Sequence, residues 1–413
     1  MDLQATDSES RFSTYLEGLV NVMGHADRAG PLRDYCTGLM LPCERKSVEP
    51  MAAATAPART AAQHQSLLHF VGKGAWSDEK VLAKVREMVL PSIERQGPIE
   101  AWIIDDTGFP KQGRHSVGVA RQYCGQLGKQ DNCQVAVSLS LANRHASLPV
   151  AWRLYLPQEW AQDCARRKKA HVPEDIQFQT KPEIALALLD HARELGIRHA
   201  AVTADGDYGD NPNFLAGLEL RKQRYVVAVR CDFSVAQGQF APVQRADALI
   251  AAQGKRRWRT VRWREGSQGE LRAKVVALRC WRVTADGRRR IGWLIGEDAS
   301  DGKRRYCWSN FGRHTPLVRI VEYAHRRHWV ERFHEEAKEL LGWDQYQGRL
   351  WTGFHRNSVL VMLAYSFLVW QEFKQRQEVR RRGRPRRPFS PSGGPQAHAP
   401  AGGPSSHRRL AAA

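Results

Sequence analysis

A chain of 413 residues with 42% hydrophobic side chains is too long for one minimal domain and too apolar for global disorder. Lysine and arginine number 63 against 43 acids, giving a net charge of +20 and a pI near 9.9, so the expected partner is a polyanion, nucleic acid first. Eight scattered cysteines without a CxxC pair argue against a zinc ribbon or a disulfide framework, and the absence of a signal peptide and of any apolar run long enough for a bilayer points to a cytoplasmic, nucleoid-associated protein with no membrane partner.

In chain order, residues 1–95 read as an N-terminal helical domain that either binds DNA or packs on the core. Apolar residues recur at helical spacing in 11–23 and 76–90. Ser77 or Asp78 caps the second helix and Pro91 closes it, while the alanine-rich 51–62 reads as a loop. From 96 to 230 the texture is α/β. Strands are expected at 99–106, 132–143 and 147–157, then a helix at 181–196, a strand at 199–205, a helix at 213–223 and a strand at 225–230. This β-β-β-α-β-α-β order is that of the ribonuclease-H-like (RNase-H-like) fold, in which the first and fourth strands are neighbours. Residues 231–315 interrupt it with aromatic and arginine-rich alternation, expected to form an antiparallel β subdomain. Helices of the core return over 316–373, where 358–370 is a buried core helix. The stretch 374–413, rich in Pro, Gly, Ser and Arg, holds ten basic residues and one acid and reads as a disordered basic tail.

Three acids fall where a metal site needs them. Asp105 ends the first strand and Asp205 the fourth; on parallel neighbouring strands both carboxylates leave the same sheet edge. A hard divalent cation relieves their repulsion, and Mg²⁺ favours a few carboxylate oxygens completed by water and phosphate. On the helix expected over 324–343, Arg327, Glu331 and Lys338 are spaced by four and seven residues and share one face. A carboxylate between two cations suits a metal ligand flanked by phosphate-binding side chains. Strand parity leaves Asp106 and Asp207 open as alternatives to Asp105 and Asp205, and Glu335 or Glu336 can stand in for Glu331.

The R-x3-E-x6-K spacing resembles the signature of the DDE transposases of bacterial insertion sequences, the Y-R-E-K group. The segments IIDDTGFPKQGRHSVGVARQYCG, TKPEIALALL, TADGDYG and HWVERFHEEAKELLGWDQYQGRLW are similar to the insertion-sequence family numbered seven hundred and one, over roughly residues 67–370. The signature tyrosine would fall on Ala324, with Tyr323 one place off. The resemblance implies that Asp105, Asp205 and Glu331 are the catalytic, metal-holding acids, with Arg327 and Lys338 as DNA contacts. It implies two Mg²⁺ (or Mn²⁺) ions, double-stranded DNA as partner (transposon ends and target), and a homodimer on paired ends. The implied chemistry is cleavage at the ends and joining to target DNA by two-metal phosphoryl transfer. An RNase-H-like nuclease and a catalytically inactive DNA-binding regulator are the alternatives, the intact acids standing against the second.

Other motifs carry less. The insertion's tryptophans (Trp258, Trp263, Trp281, Trp293, Trp308) suit a small core better than base stacking. The HRRH run at 325–328 has no partner at zinc-ligand spacing, and VGKGAW near residue 71 lacks the full P-loop pattern. Arg382 and Arg384, in an RGRP segment shaped like an AT-hook, are expected to bind DNA, more as a nonspecific phosphate tether than by minor-groove readout.

Overall fold

The computed structural model describes residues 3–266, 269–299 and 302–381; Arg382 and Arg384 lie outside them. Five helices open the chain: α1 (Leu3–Val20), α2 (Ala29–Met40), α3 (Val48–Thr55), α4 (Thr60–Gly72) and α5 (Asp78–Glu94). The alanine-rich segment expected as a loop is mostly helical, because alanine has the best intrinsic propensity and Met51 and Ala52 are buried. Only 56–59, around Pro57, breaks the path. Ser77 caps α5 by accepting the Lys80 N–H, but Pro91 does not close it, since the helix runs on to Glu94.

The first sheet is built from β1 (Ala101–Pro110), β2 (Ala120–Cys124), β3 (Lys129–Ala142) and β4 (Ser147–Leu154), followed by two short helices, α6 (Gln158–Gln162) and α7 (Cys164–Lys169). Then come α8 (Lys181–Glu194), β5 (Ala201–Thr203), the single turn α9 (Gly206–Gly209), α10 (Pro212–Leu220) and β6 (Val226–Val229). β3 runs antiparallel to β1 and β4 antiparallel to β3, while β5 lies parallel to β1 on its other side. A parallel bridge from Val202 to Tyr225 carries the order on toward β6. The expected adjacency of the first and fourth core strands is therefore present. Eight of the ten residues of β1 are buried, as a central strand covered on both faces requires. The β2 hairpin strand is an addition that the sequence reading did not include.

The insertion comprises β7 (Ser234–Ala236), β8 (Gln244–Arg245), α11 (Ala246–Ala251), β9 (Arg259–Gly266), β10 (Gly269–Val283), β11 (Arg289–Asp298) and β12 (Arg304–Ser309). All its pairings are antiparallel, and β12 also pairs with β6, so the insertion's sheet continues from the last core strand. Three helices finish the described chain: α12 (Leu317–His325), α13 (His328–Glu339) and α14 (Trp351–Arg381). α14 packs against α5, α2, α4 and α1, and α5 against β4, so the first helices and the last share one core with the first sheet. It extends eight residues into the stretch read as tail. Within the apolar run, 358–367 are buried, and among the described residues no helix is long and apolar enough to cross a membrane.

Candidate active site

The register of the parallel pair sets the site. Ala101, Trp102 and Ile103 of β1 lie opposite Ala201, Val202 and Thr203 of β5, and the same offset carried two residues on brings Asp105 level with Asp205. Asp105 sits inside β1 opposite Ser138, not at its end, because β1 continues to Pro110. Asp205 leaves β5 and caps α9, its Oδ1 accepting the N–H groups of Asp207 (3.1 Å) and Tyr208 (3.3 Å). Its turn role and its place at the sheet edge coincide. Gly209 lets α9 seat on β6, since a Cβ there would collide with the Ala228 carbonyl oxygen.

Glu331 comes from α13, and here the structure departs from a single helix through 324–343. The backbone tightens at Arg326 and Arg327, whose N–H groups reach only three residues back, and α13 starts afresh at His328. The break has a side-chain cause. Arg326 is buried and donates from Nε to Glu100 Oε2 (2.7 Å), which also accepts from Arg144 (3.2 Å, at Oε1), while Arg327 turns to the sheet edge. Arg327 stands 3.7 Å from Asp105 Oδ2 and forms an ion pair with Glu331, so one guanidinium joins two of the three acids. Lys338 points elsewhere: its ammonium donates to the Gly108 carbonyl (2.8 Å) and lies 5.4 Å from the Phe109 ring centroid.

Three of the four alternative acids are each held by another cation. Asp106 accepts from Lys181 (2.7 Å), at the first position of α8. Asp207 accepts from Arg230 (2.9 Å), which also pairs with Asp210. Glu336 pairs with Arg332 at 2.7 Å, and Glu335 is exposed. Burial, then the neighbouring Asp205, raises the Asp105 carboxyl well above the usual carboxylate range, with Arg327 opposing. Asp205 is raised by burial and by Asp106. Behind the acids, Ser138 Oγ lies 2.9 Å from His334 Nε2 and 3.4 Å from the Asp105 carbonyl oxygen, and burial lowers His334 to about 3, so it is neutral.

A cleft of about 580 Å³ opens beside these residues, lined in part by Glu331, Arg327, Arg230, Arg304, Arg305 and Glu297. The HRRH run borders it as packing and polar contact, with His325 stacked on Trp263 (3.9 Å) and 2.9 Å from Glu297. Among the described residues no three His, Cys, Asp or Glu side chains are closed to metal-ligand distances. The donor set still fits a divalent cation. One guanidinium pairs with two of the three carboxylates, burial and then the neighbouring Asp205 push Asp105 toward protonation, and every donor is a hard oxygen. Lys181, Arg230 and Glu297 were not found from the sequence. Only the TKPE sequence, a helix start with a lysine at its first position, hinted at Lys181.

The chain matches the family described as DDE superfamily endonuclease over residues 18–270 and that described as transposase DDE domain over 179–367. It belongs to the DDE superfamily of endonucleases, whose members depend on divalent metal. Within that superfamily it is a DDE transposase, a DNA-acting enzyme. It is 29% identical over 285 residues to the probable transposase for insertion sequence element IS701 of Microchaete diplosiphon, covering 68% of each chain. A cryo-EM structure of a piggyBac transposase synaptic complex with hairpin DNA overlays with a TM-score of 0.44 at 8% identity, covering 89% of this chain and 67% of that one.

Proposed function

We propose that this transposase cleaves DNA at the ends of an insertion sequence and joins them to target DNA at Asp105, Asp205 and Glu331, on an RNase-H-like core. The observation that carries the reading is the single guanidinium of Arg327 bound to Asp105 and Glu331 beside the aligned Asp205. A cation already stands among the acids that are to share one. The strand order β4-β3-β1-β5, with β3 alone antiparallel and β6 next to β5, supports the fold assignment. The domain reading is an N-terminal helical unit, a split core, an inserted β subdomain and a basic tail bearing Arg382 and Arg384 as DNA tethers.

Asp105, Asp205 and Glu331 would hold two Mg²⁺ ions, which when bound activate the attacking oxygen and stabilise the leaving one. The chain's own residues do the rest. Arg327 takes the scissile phosphate and fixes its direction, while Arg230, Arg304 and Arg305 on the cleft wall hold the flanking DNA backbone. Water attacks the phosphorus first, and the P–O3′ bond breaks to leave a 3′-hydroxyl. That hydroxyl then attacks a target phosphodiester, exchanging one P–O bond for another, with no protein nucleophile. Lys338 steadies Gly108 on the catalytic strand and reaches DNA only if it leaves that carbonyl. Joining two ends at once calls for two copies of the chain.

The test is cleavage and joining of labelled DNA carrying the element's ends, with Mg²⁺, for wild type and Glu331→Ala, with DNA binding measured in parallel. Activity in the wild type alone supports the reading. Equal activity in both overturns Glu331, and loss of both with binding intact overturns the catalytic assignment.

A further inference from the structure

Asp105 and Asp106 are adjacent on β1, so their side chains leave opposite faces of the strand, yet both charges are felt at Asp205 and its turn. A divalent cation therefore meets two competing carboxylate pairs, Asp105 with Asp205 and Asp106 with Asp205. The structure treats the two aspartates differently. Asp105 is faced by Arg327, which Glu331 shares. Asp106 has its own cation: Lys181 Nζ lies 2.7 Å from Asp106 Oδ2, and the two side chains are only 30% and 25% exposed.

The mount of Lys181 is rigid. Thr180 caps α8 by accepting the Glu183 N–H, and Glu183 Oε2 accepts the Thr180 N–H (2.8 Å), a reciprocal capping box. Pro182 fixes the next backbone angle of the first turn. The helix N-terminus thus fixes the backbone from which the Lys181 ammonium reaches Asp106 on β1. Asp106 in turn donates its backbone N–H to Asp105 Oδ1 (2.9 Å), so fixing Asp106 also orients the neighbouring carboxylate.

We propose that Lys181 is a positioning residue that keeps Asp106 out of the metal-ligand set, so that the metal enters between Asp105, Asp205 and Glu331. This rests on the ligand set proposed above. Arg230 does the equivalent for Asp207 from the other side of the turn. A metal seated on Asp106 would first have to break a 2.7 Å ion pair, whereas at Asp105 it displaces a guanidinium that stands 3.7 Å away and is shared with Glu331.

The experiment compares full-length wild type with Lys181→Met, Lys181→Arg, Asp106→Asn and the double variant Lys181→Met/Asp106→Asn, with Asp105→Asn as reference. Two quantities are read: Mn²⁺ binding to the DNA-free protein by electron paramagnetic resonance, and cleavage of end-bearing DNA with Mg²⁺. Lys181→Met is expected to change the number or tightness of bound Mn²⁺ and to slow cleavage roughly tenfold to a hundredfold, the order of loss seen when a group that does not touch the metal but keeps its ligand set in place is removed. Asp106→Asn keeps most of the wild-type rate. Lys181→Arg retains both properties, and the double variant regains the Mn²⁺ profile and the rate of Asp106→Asn. The proposal is overturned if the double variant is as slow as Lys181→Met, which would place Lys181 on the DNA. It is overturned equally if Asp106→Asn is as inactive as Asp105→Asn, which would make Asp106 the ligand. Full cleavage by Asp105→Asn would instead remove the ligand set itself, whatever Lys181 does.

Discussion

The sheet edge at β1 and β5 and the inserted sheet of β9–β12 answer opposite electrostatic needs. At the edge, Arg327 pairs with Asp105 and Glu331, and burial, then repulsion from a neighbouring carboxylate, drives Asp105 and Asp205 toward protonation. Between residues 255 and 305 the sequence instead carries sixteen basic residues and six acidic ones, and Arg304 and Arg305 bring that excess to the wall of the cleft. The difference teaches a division of labour. On the proposed reading, affinity for a polyanion is spread over many cations, each contributing little, while chemistry depends on a few clustered carboxylates, Asp105 buried and Glu331 exposed, that repel the same ligand until a metal intervenes.

The sharpest way to break the comparison is to neutralise one anion. Asp105→Asn should lower cleavage by about 10³-fold or more, about 4 kcal/mol of barrier, while DNA binding stays level or tightens. A gel-shift assay alongside the cleavage assay checks both arms, and weakened binding would mean that the edge also holds DNA through its acids.

Acidification should separate the regions next. His334 lies behind Asp105 with a folded-state value lowered by burial to about 3, whereas no histidine occurs between 231 and 310. A histidine kept neutral in the fold contributes stability above its unfolded value near 6.5, and that contribution falls as pH drops toward the folded value. By pH 5 the loss is at most about 2 kcal/mol. Metal-free melting at pH 7 and pH 5, for wild type and His334→Gln, reads it. The variant should lose less on acidification, and an equal loss would remove His334 as the cause.

Reversing charge on the inserted sheet comes third. Arg304→Glu should weaken DNA binding roughly tenfold and reduce the slope of log affinity against log salt by about one, with the rate on saturating DNA retained. A fall in that rate would place this residue in the chemistry. Smallest is Thr180→Ala, which removes the α8 cap and should cost about 1 kcal/mol, seen as a shift in melting temperature. No shift would mean that α8 is held by packing alone.

The sequence reading reached the core through period and order. β1, β3, β4, β5 and β6 were expected close to where they lie, because alternating or continuous apolar runs ending in turn residues are local signals. The β2 hairpin was missed because ARQYC is short, has no β-branched residue and buries only Cys124, although its partner Lys129–Cys133 follows directly across 125–128. The acids were legible as strand-end and helix-face residues, but parity left Asp105 and Asp106 open, since which face a strand side chain takes is set by neighbours across the sheet. Lys181 and Arg230 were invisible for the same reason, each meeting its aspartate across a fold-made junction. The break before His328 arises from the Arg326–Glu100 contact, 226 residues apart in sequence, which no helical periodicity records.

Because β12 pairs with β6 through Val226, Val227, Ala228 and Val229, the insertion also acts as a lid on an adhesive border. Excising it would leave β6 as an exposed strand rich in valine, with unpaired N–H and C=O groups along its open side, a template for another chain to add to. A shortened enzyme would then fail in solution before its chemistry was tested: the same strand pairing that brings arginines to the cleft keeps neighbouring molecules apart.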